Sequence, residues 1–222
     1  MDLQKSYDVF KPEQVSKVHI IGCGSVGSTI AENIARLGVK KINLYDFDTV
    51  ERKNITNQMF REKDIGRLKV DALKDIILEI NPEADIKTFS GGYKGEKLSG
   101  YVFLCVDNID VRREICKDNK YNIDIEAMFD IRTRLYEAQH FAANWKDINN
   151  IKSFLNSMDF THDEAQEETP EERSACGTRL SVAPTIRVIC GLAVSNFMNF
   201  VNKKELKTLI LADPFGYKLD SF

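Results

Sequence analysis

The apolar positions of this chain change period in a regular order. Val18-His19-Ile20-Ile21 is apolar on nearly every residue, as expected of a strand buried on both faces. Val26, Ile30, Ile34 and Leu37 then recur at helical spacing. They predict a helix over residues 25–37, stopped by Gly38. Ile42-Asn43-Leu44-Tyr45 reads as a second strand. Val70, Leu73, Ile76, Ile77 and Ile80 predict a helix over 68–80, which Asn81-Pro82 ends because proline cannot continue the hydrogen-bond ladder. A strand over 85–89, a loop at Gly91-Gly92, a buried strand over 101–106 and a helix over 109–116 follow.

Beyond residue 125 the pattern is strand-like to 145, with little sign of helical crossovers. The run 135–141 suggests antiparallel strands added at the sheet edge. Residues 147–158 read as helix. Residues 161–173 are acidic and lack apolar anchors, which predicts a mobile surface loop. A long helix over 184–201 opens with Pro184, suited to a first helical turn, and turns Ile186, Ile189, Cys190, Ala193 and Phe197 inward. A last strand is read over 206–212. Residues 1–17 are a polar lead containing Pro12, expected to form a short helix or arm outside the sheet. The order predicts one α/β domain over 1–222. Its Rossmann-like, mostly parallel sheet is flanked by helices and extended by antiparallel strands in the C-terminal half.

Composition narrows the function classes. The chain has 222 residues, 43% of them hydrophobic, enough for one sizeable core. Lys and Arg number 31 against 34 Asp and Glu, so no basic excess argues for nucleic acid. The five cysteines form no Cys-x-x-Cys pair, which suggests neither a zinc knuckle nor a disulfide framework and fits a reducing cytoplasm. The start is too polar for a secretory signal, and no apolar run reads as long enough to span a bilayer. Neither nucleic acid nor membrane is expected as a partner.

The candidate chemistry begins at Gly22-Cys23-Gly24-Ser25-Val26-Gly27, between the first strand and the first helix. Gly22 allows a tight turn, Gly24 keeps the backbone open to a phosphate, and Gly27 lets the helix lie close on the sheet. The helix N-terminus offers free N–H groups and a partial positive charge to an anion. Asp46, ending the second strand, is placed to accept hydrogen bonds from ribose hydroxyls. By itself this motif indicates an adenine nucleotide and favours a dinucleotide. A polar segment, Thr49 to Gln58, then stands where a dehydrogenase would continue into another strand–helix unit, and Asp64-Ile65-Gly66-Arg67-Leu68-Lys69 leads into the next helix.

With these blocks in order, and with Asp46-Phe47-Asp48-Thr49-Val50, Asn54 with Gln58, and Asp107-Asn108 with Arg112, the chain resembles the ThiF/MoeB superfamily, the fold of the ubiquitin-activating enzymes. The resemblance implies an adenylyltransferase that uses ATP and Mg2+. It would activate the C-terminal carboxylate of a ubiquitin-like or sulfur-carrier protein ending in glycine. A homodimer is likewise implied, whereas no structural zinc is expected, because the zinc-binding cysteine pairs common in the family are missing here, as in several smaller members. Lys69 would contact the phosphates, Asp107 would hold the metal, and Asn54 and Gln58 would donate amide hydrogens to phosphate. Asp48 would hold a neighbouring loop or assist the metal. Cys176 matches the crossover-loop cysteine, within residues 158–182, that takes the acyl or sulfur group in some members. Each residue also has an ordinary reading. Lys69 can be a solvated lysine, Asp107 a helix N-cap, Asn54 and Gln58 loop-backbone partners, and Cys176 a small buried residue. Cys23, Cys105, Cys116 and Cys190 read as packing residues.

Two departures stand out. Asn57 occupies the position where the family usually has a phosphate-contacting arginine, and no arginine precedes Arg36. Asparagine supplies neither the charge nor the fork of donors. Lys5, Lys11, Arg52, Arg61 and Arg67 are the candidate substitutes. A non-catalytic homologue serving as the scaffold half of a heterodimer is the first rival reading. A nicotinamide-dependent oxidoreductase, which leaves residues 54–69 and Asp107-Asn108 unexplained, is the second. Activation of a small-molecule, peptide or tRNA-linked carboxylate remains open within the enzyme class.

Overall fold

Five strands lie parallel: β1 (Val18–Ile21), β2 (Lys41–Tyr45), β3 (Asp85–Phe89), β4 (Gly100–Leu104) and β5 (Ile125–Thr133). The computed structural model describes residues 1–167 and 180–222. The helices are α1 (Ser25–Arg36), α2 (Lys69–Ile80), α3 (Ile109–Asp118), α4 (Ile148–Asn156), α5 (His162–Glu167) and α6 (Ala183–Val201). Strands β6 (Ala138–Asn144), β7 (Leu209–Asp213) and β8 (Lys218–Ser221) complete an eight-stranded sheet in the order β3-β2-β1-β4-β5-β6-β7-β8. The continuous apolar runs of β1 and β4 are buried along their whole length at the centre. From β5 onward the pairing is antiparallel. The Arg134 amide donates to the Glu137 carbonyl (2.8 Å) and closes a connection too short for a crossover helix.

The helices sandwich this sheet. On one face α1, α2 and α6 cover Ile20, Phe103 and Phe129; on the other α3 and α4 cover Leu104, Met128 and Trp145. By length and composition α6 is long and apolar enough to cross a bilayer, contrary to the reading of the sequence. Here Ile186, Ile189, Cys190, Ala193 and Phe197 are buried against α1 and the sheet. This gives its apolar surface an internal use.

Three further differences have local causes. Residues 162–167 form a helix rather than loop, because Thr161 and Glu164 make a reciprocal cap: Oε2 of Glu164 accepts from the Thr161 amide (2.6 Å), and the Glu164 amide donates to Oγ1 of Thr161 (3.2 Å). The rest of the acidic segment, residues 168–179, lies outside the described residues. Strand β8 was not anticipated; its residues Lys-Leu-Asp-Ser are all exposed, so no burial pattern announces them. The N-terminal lead makes a 3-10 turn at Pro12–Gln14 and inserts Phe10 into the core, its ring 5.8 Å from that of Phe197. Leu3 and Pro12 touch Gly38, so the lead docks at the C-terminal end of α1.

Candidate active site

Strand order reverses between β1, which continues through α1 to β2, and β4 on its other side. Open parallel sheets bind ligands at such a point, beyond the strand C-termini. The glycine turn sits there. Gly22 has φ +93°, and a Cβ on it would stand 2.7 Å from the backbone of Cys105 and Val106. A Cβ on Gly27 would stand 1.8 Å from the Gly22 carbonyl oxygen. These two glycines let α1 start directly against β4. Gly24 differs: nothing lies within 4 Å of where its Cβ would be. That open space at the N-cap of α1 is a cradle with room for an anion beside the free N–H groups of the helix start.

Asp46 fixes the turn. Its Oδ2 accepts from the Cys23 amide (2.6 Å) and its Oδ1 from the Asp48 amide (2.8 Å). Each carboxylate oxygen has a second lone pair, which leaves capacity for ribose hydroxyls. Asp48 in turn holds Lys69. Its Oδ2 lies 2.7 Å from Nζ, and its carbonyl accepts from the Lys69 amide (2.9 Å). Lys69 opens α2 and is only 7% exposed, which rules out the solvated-lysine reading. A buried ammonium at a helix N-terminus is electrostatically disfavoured unless an anion joins it; in this structure the anion is Asp48. Asn54 is buried, and its Oδ1 accepts from the Glu51 amide (2.8 Å), so its oxygen serves the loop backbone. The side-chain oxygen of Gln58 is buried with no hydrogen-bond partner. An orphaned polar group beside α1 suits a site that takes a polar ligand.

Asp107 follows β4. It is exposed and makes no hydrogen bond or ion pair among the described residues. The N-cap role belongs to its neighbour Asn108, whose Oδ1 accepts from the amides of Asp110 (2.9 Å) and Val111 (3.2 Å). A single exposed carboxylate at a strand end suits Mg2+, which uses few protein ligands and shares phosphate oxygens. Among the described residues no group of three or more His, Cys, Asp or Glu is arranged around a metal.

Asp107 rims a cavity of about 620 Å³, bounded also by Ser25, Arg112, Arg132, Phe141 and Phe160. Behind it lies a charge cluster. Asp130 on β5 is fully buried and accepts from both Arg112 and Arg132. Arg112 also donates through Nε to the Val106 carbonyl (2.7 Å) and through Nη1 to the Ile131 carbonyl (2.8 Å). Arg132 donates to the carbonyl and hydroxyl of Ser157 and lies 4.3 Å from the Phe141 ring centroid. This cluster fixes the chain on either side of Asp107.

A family model described as the ThiF family matches residues 11–219. The chain belongs to the ThiF family. A ubiquitin-like modifier-activating enzyme 5 from Arabidopsis thaliana is 38% identical over 92 residues, covering 40% of this chain and 21% of that protein. One from Drosophila mojavensis is 31% identical over 144 residues, 55% of this chain and 35% of that protein. The chain thus spans about a fifth to a third of the length of these relatives. Among solved structures, PaaA matches with TM-score 0.73 and 19% identity over 99% of this chain and 67% of PaaA. E. coli MccB with ATP matches with TM-score 0.68 and 19% identity, covering 95% of this chain and 65% of MccB. At that identity the structural likeness shows a shared fold.

In this ThiF chain four cysteines are buried and free: Cys23, Cys105, Cys116 and Cys190. Burial pushes the thiol of Cys105 up to about 12 and those of Cys23, Cys116 and Cys190 well above their ordinary value, so none is a nucleophile at neutral pH. Cys176 lies outside the described residues. Reading the sequence also left Asp130 and Arg132 unassigned. Their alternation on β5, with both side chains turned to one face, was the available signal.

Proposed function

We propose that this chain binds ATP over the glycine turn and adenylates a C-terminal carboxylate presented through the adjoining cavity. The observation that carries the reading is one arrangement at the switch point. The open cradle at Gly24, the Asp46 carboxylate and Asp107, unpartnered among the described residues, all follow the C-terminal ends of β1, β2 and β4 where the sheet order reverses, and Asp107 and Ser25 also line the cavity. Family membership supports the same chemistry. The substrate carboxylate attacks the α-phosphate of ATP, which gives an acyl-adenylate and pyrophosphate. The difficulty is charge: an anion approaches a polyanion, and more negative charge gathers on the leaving group. The N–H groups at the start of α1 and the buried ammonium of Lys69 face that charge. Asp107 would hold Mg2+, which supplies neutralisation of the phosphates. Asp46 orients the ribose, and the Arg112–Asp130–Arg132 cluster keeps the cavity wall in place.

The carboxylate belongs in this reading to a ubiquitin-like or sulfur-carrier protein, with transfer to Cys176 as a second stage and a homodimer as the working form. The ubiquitin-like modifier-activating enzyme 5 relatives support a ubiquitin-like substrate, and an E. coli MccB structure that contains AMPCPP together with MccA keeps other carboxylate partners in view. The test is ATP turnover with Mg2+, read as AMP and pyrophosphate. It uses wild type and Asp107→Ala, with carriers ending in Gly-Gly and with short peptides. Carrier-dependent AMP release that falls about 100-fold or more in the variant is expected. ATP binding without AMP under every pairing would transfer the weight to the scaffold reading, which the asparagine at position 57 favours.

A further inference from the structure

We propose that Arg187 of α6 supplies the phosphate-binding cation that the loop bearing Asn57 lacks. The inference rests on the ATP-binding reading above and names a further residue of the same site.

The argument starts from which cations have carboxylate partners. Around the glycine turn, Lys69 is held by Asp48 (2.7 Å), Arg52 by Glu62 (2.6 Å) and Arg61 by Glu79 (2.8 Å). Arg67 is shared between Asp64 (3.2 Å) and Asp75 (2.5 Å). Lys5 and Lys11 belong to the N-terminal lead, which docks on Gly38 at the far end of α1. A helix of 12 residues puts them roughly 18 Å from the glycine turn. None of the substitutes suggested by the sequence is thus both unpaired and close within the chain.

Arg187 is. It is exposed and has no carboxylate partner among the described residues. Helix α6 crosses the first turns of α1: Sγ of Cys190 lies 3.7 Å from the Val26 carbonyl oxygen, and Nη1 of Arg187 lies 3.5 Å from Oγ1 of Thr29. Thr29 in turn donates to the carbonyl of Ser25, the first residue of the helix (2.8 Å). The guanidinium also rests against the thioether of Met59. That residue is pinned to α1 by its amide, which donates to Oγ of Ser28 (3.2 Å), and it adjoins Gln58 with its orphaned oxygen. A guanidinium lodged against sulfur and a hydroxyl uses little of its donor fork. Arginine is suited to phosphate because that fork is planar and always charged. Thr29 stands five residues beyond Gly24 on α1, roughly 7 Å along the helix axis, a span within the length of an arginine side chain, and the sulfur and hydroxyl contacts that hold the guanidinium there are weak.

Equilibrium binding of ATP and of adenosine tests the assignment, using wild type, Arg187→Ala, Arg187→Lys, and Arg187→Ala combined with Asn57→Arg. The expected result is about a 10- to 100-fold loss of ATP affinity in Arg187→Ala, with adenosine affinity and melting temperature unchanged. Arg187→Lys should fall between, because it keeps the charge and loses the fork. Asn57→Arg in the alanine background should restore much of the loss, since it returns a guanidinium to the same side of α1. Equal ATP affinity in wild type and Arg187→Ala would overturn the assignment and leave the adenylation reading intact. An equal loss for adenosine, or a lowered melting temperature, would make Arg187 a structural residue and also overturn it. Wild type that binds adenosine no worse than ATP would remove the triphosphate site itself, and both proposals with it.

Discussion

Gly27 packs on the carbonyl oxygen of Gly22 with room for a hydrogen and nothing larger, a Cβ being 1.8 Å from that oxygen. The pair welds α1 to the end of β1. Gly24, between them, meets nothing within 4 Å and has an ordinary φ of −74°. Two alanine substitutions three residues apart should therefore behave differently. Gly27→Ala should lose about 1–3 kcal/mol or more in urea unfolding, because backbone must move. Gly24→Ala should fold with near wild-type stability and lose nucleotide affinity, since the new methyl group occupies the cradle. Equal stability of the two variants would refute this division of roles.

The buried carboxylate of Asp130 sets a second expectation. Two arginines converge on it, and Arg112 is itself only 6% exposed. Asp130→Ala leaves one or both guanidinium groups buried without a counter-charge, at a cost of about 3–5 kcal/mol. Chemical denaturation should show this loss. The Asp107 region should also become mobile, visible as faster amide exchange at Val106 to Asn108.

Thiol chemistry offers a direct view of Cys176. Burial holds four cysteines as neutral thiols: Cys23, Cys116 and Cys190 are out of contact with solvent, and Cys105 is 9% exposed at the cavity wall. Brief alkylation of native protein by iodoacetamide, followed by peptide mapping, should leave these four unmodified. Label should collect at Cys176, or nowhere. Modification of Cys23 faster than of Cys176 would contradict the packing described for the glycine turn.

Acid should destabilise the fold through two histidines. Burial lowers His19 and His140 to about 4. His19 is fully buried; it accepts at Nε2 from the Ser99 amide (3.3 Å), and its Nδ1 lies 2.9 Å from the Tyr45 hydroxyl. Both rings stay neutral in the folded chain, whereas in the unfolded chain they take up protons near pH 6.5. Their contribution is complete above pH 6.5 and is lost as pH falls toward 4. Stability should drop by up to about 1.4 kcal/mol per pH unit for each histidine across that window. Urea unfolding at pH 7, 6 and 5 measures it, and a flat profile would count against the buried neutral rings.

The parallel half of the fold was legible because its signals are redundant. Val18 to Ile21 and Tyr101 to Leu104 are buried along their length, so apolar runs name the strands without any alternation. Gly22 and Gly27 leave a motif because close backbone approach permits no other residue. Strand β8 was illegible for the opposite reason: Lys218, Leu219, Asp220 and Ser221 are all exposed, and the strand exists through its ladder with β7. The cap at Thr161 and Glu164 was written in the chain but masked by its acidic surroundings. At the site, the glycine motif and the strand end pointed to Asp46, and the family resemblance pointed to Lys69 and Asp107. The pairing of Lys69 with Asp48 and the approach of Arg187 to Thr29 are tertiary, joining segments 21 and 158 residues apart.

The grip of Arg112 on the carbonyls of Val106 and Ile131 also bears on when order is acquired. The segment that carries Asp107 is fastened from β5 and from α3 before any ligand arrives. Its loss of backbone freedom is charged to folding and is shared by every later binding event, so none is taken from the affinity of an arriving nucleotide.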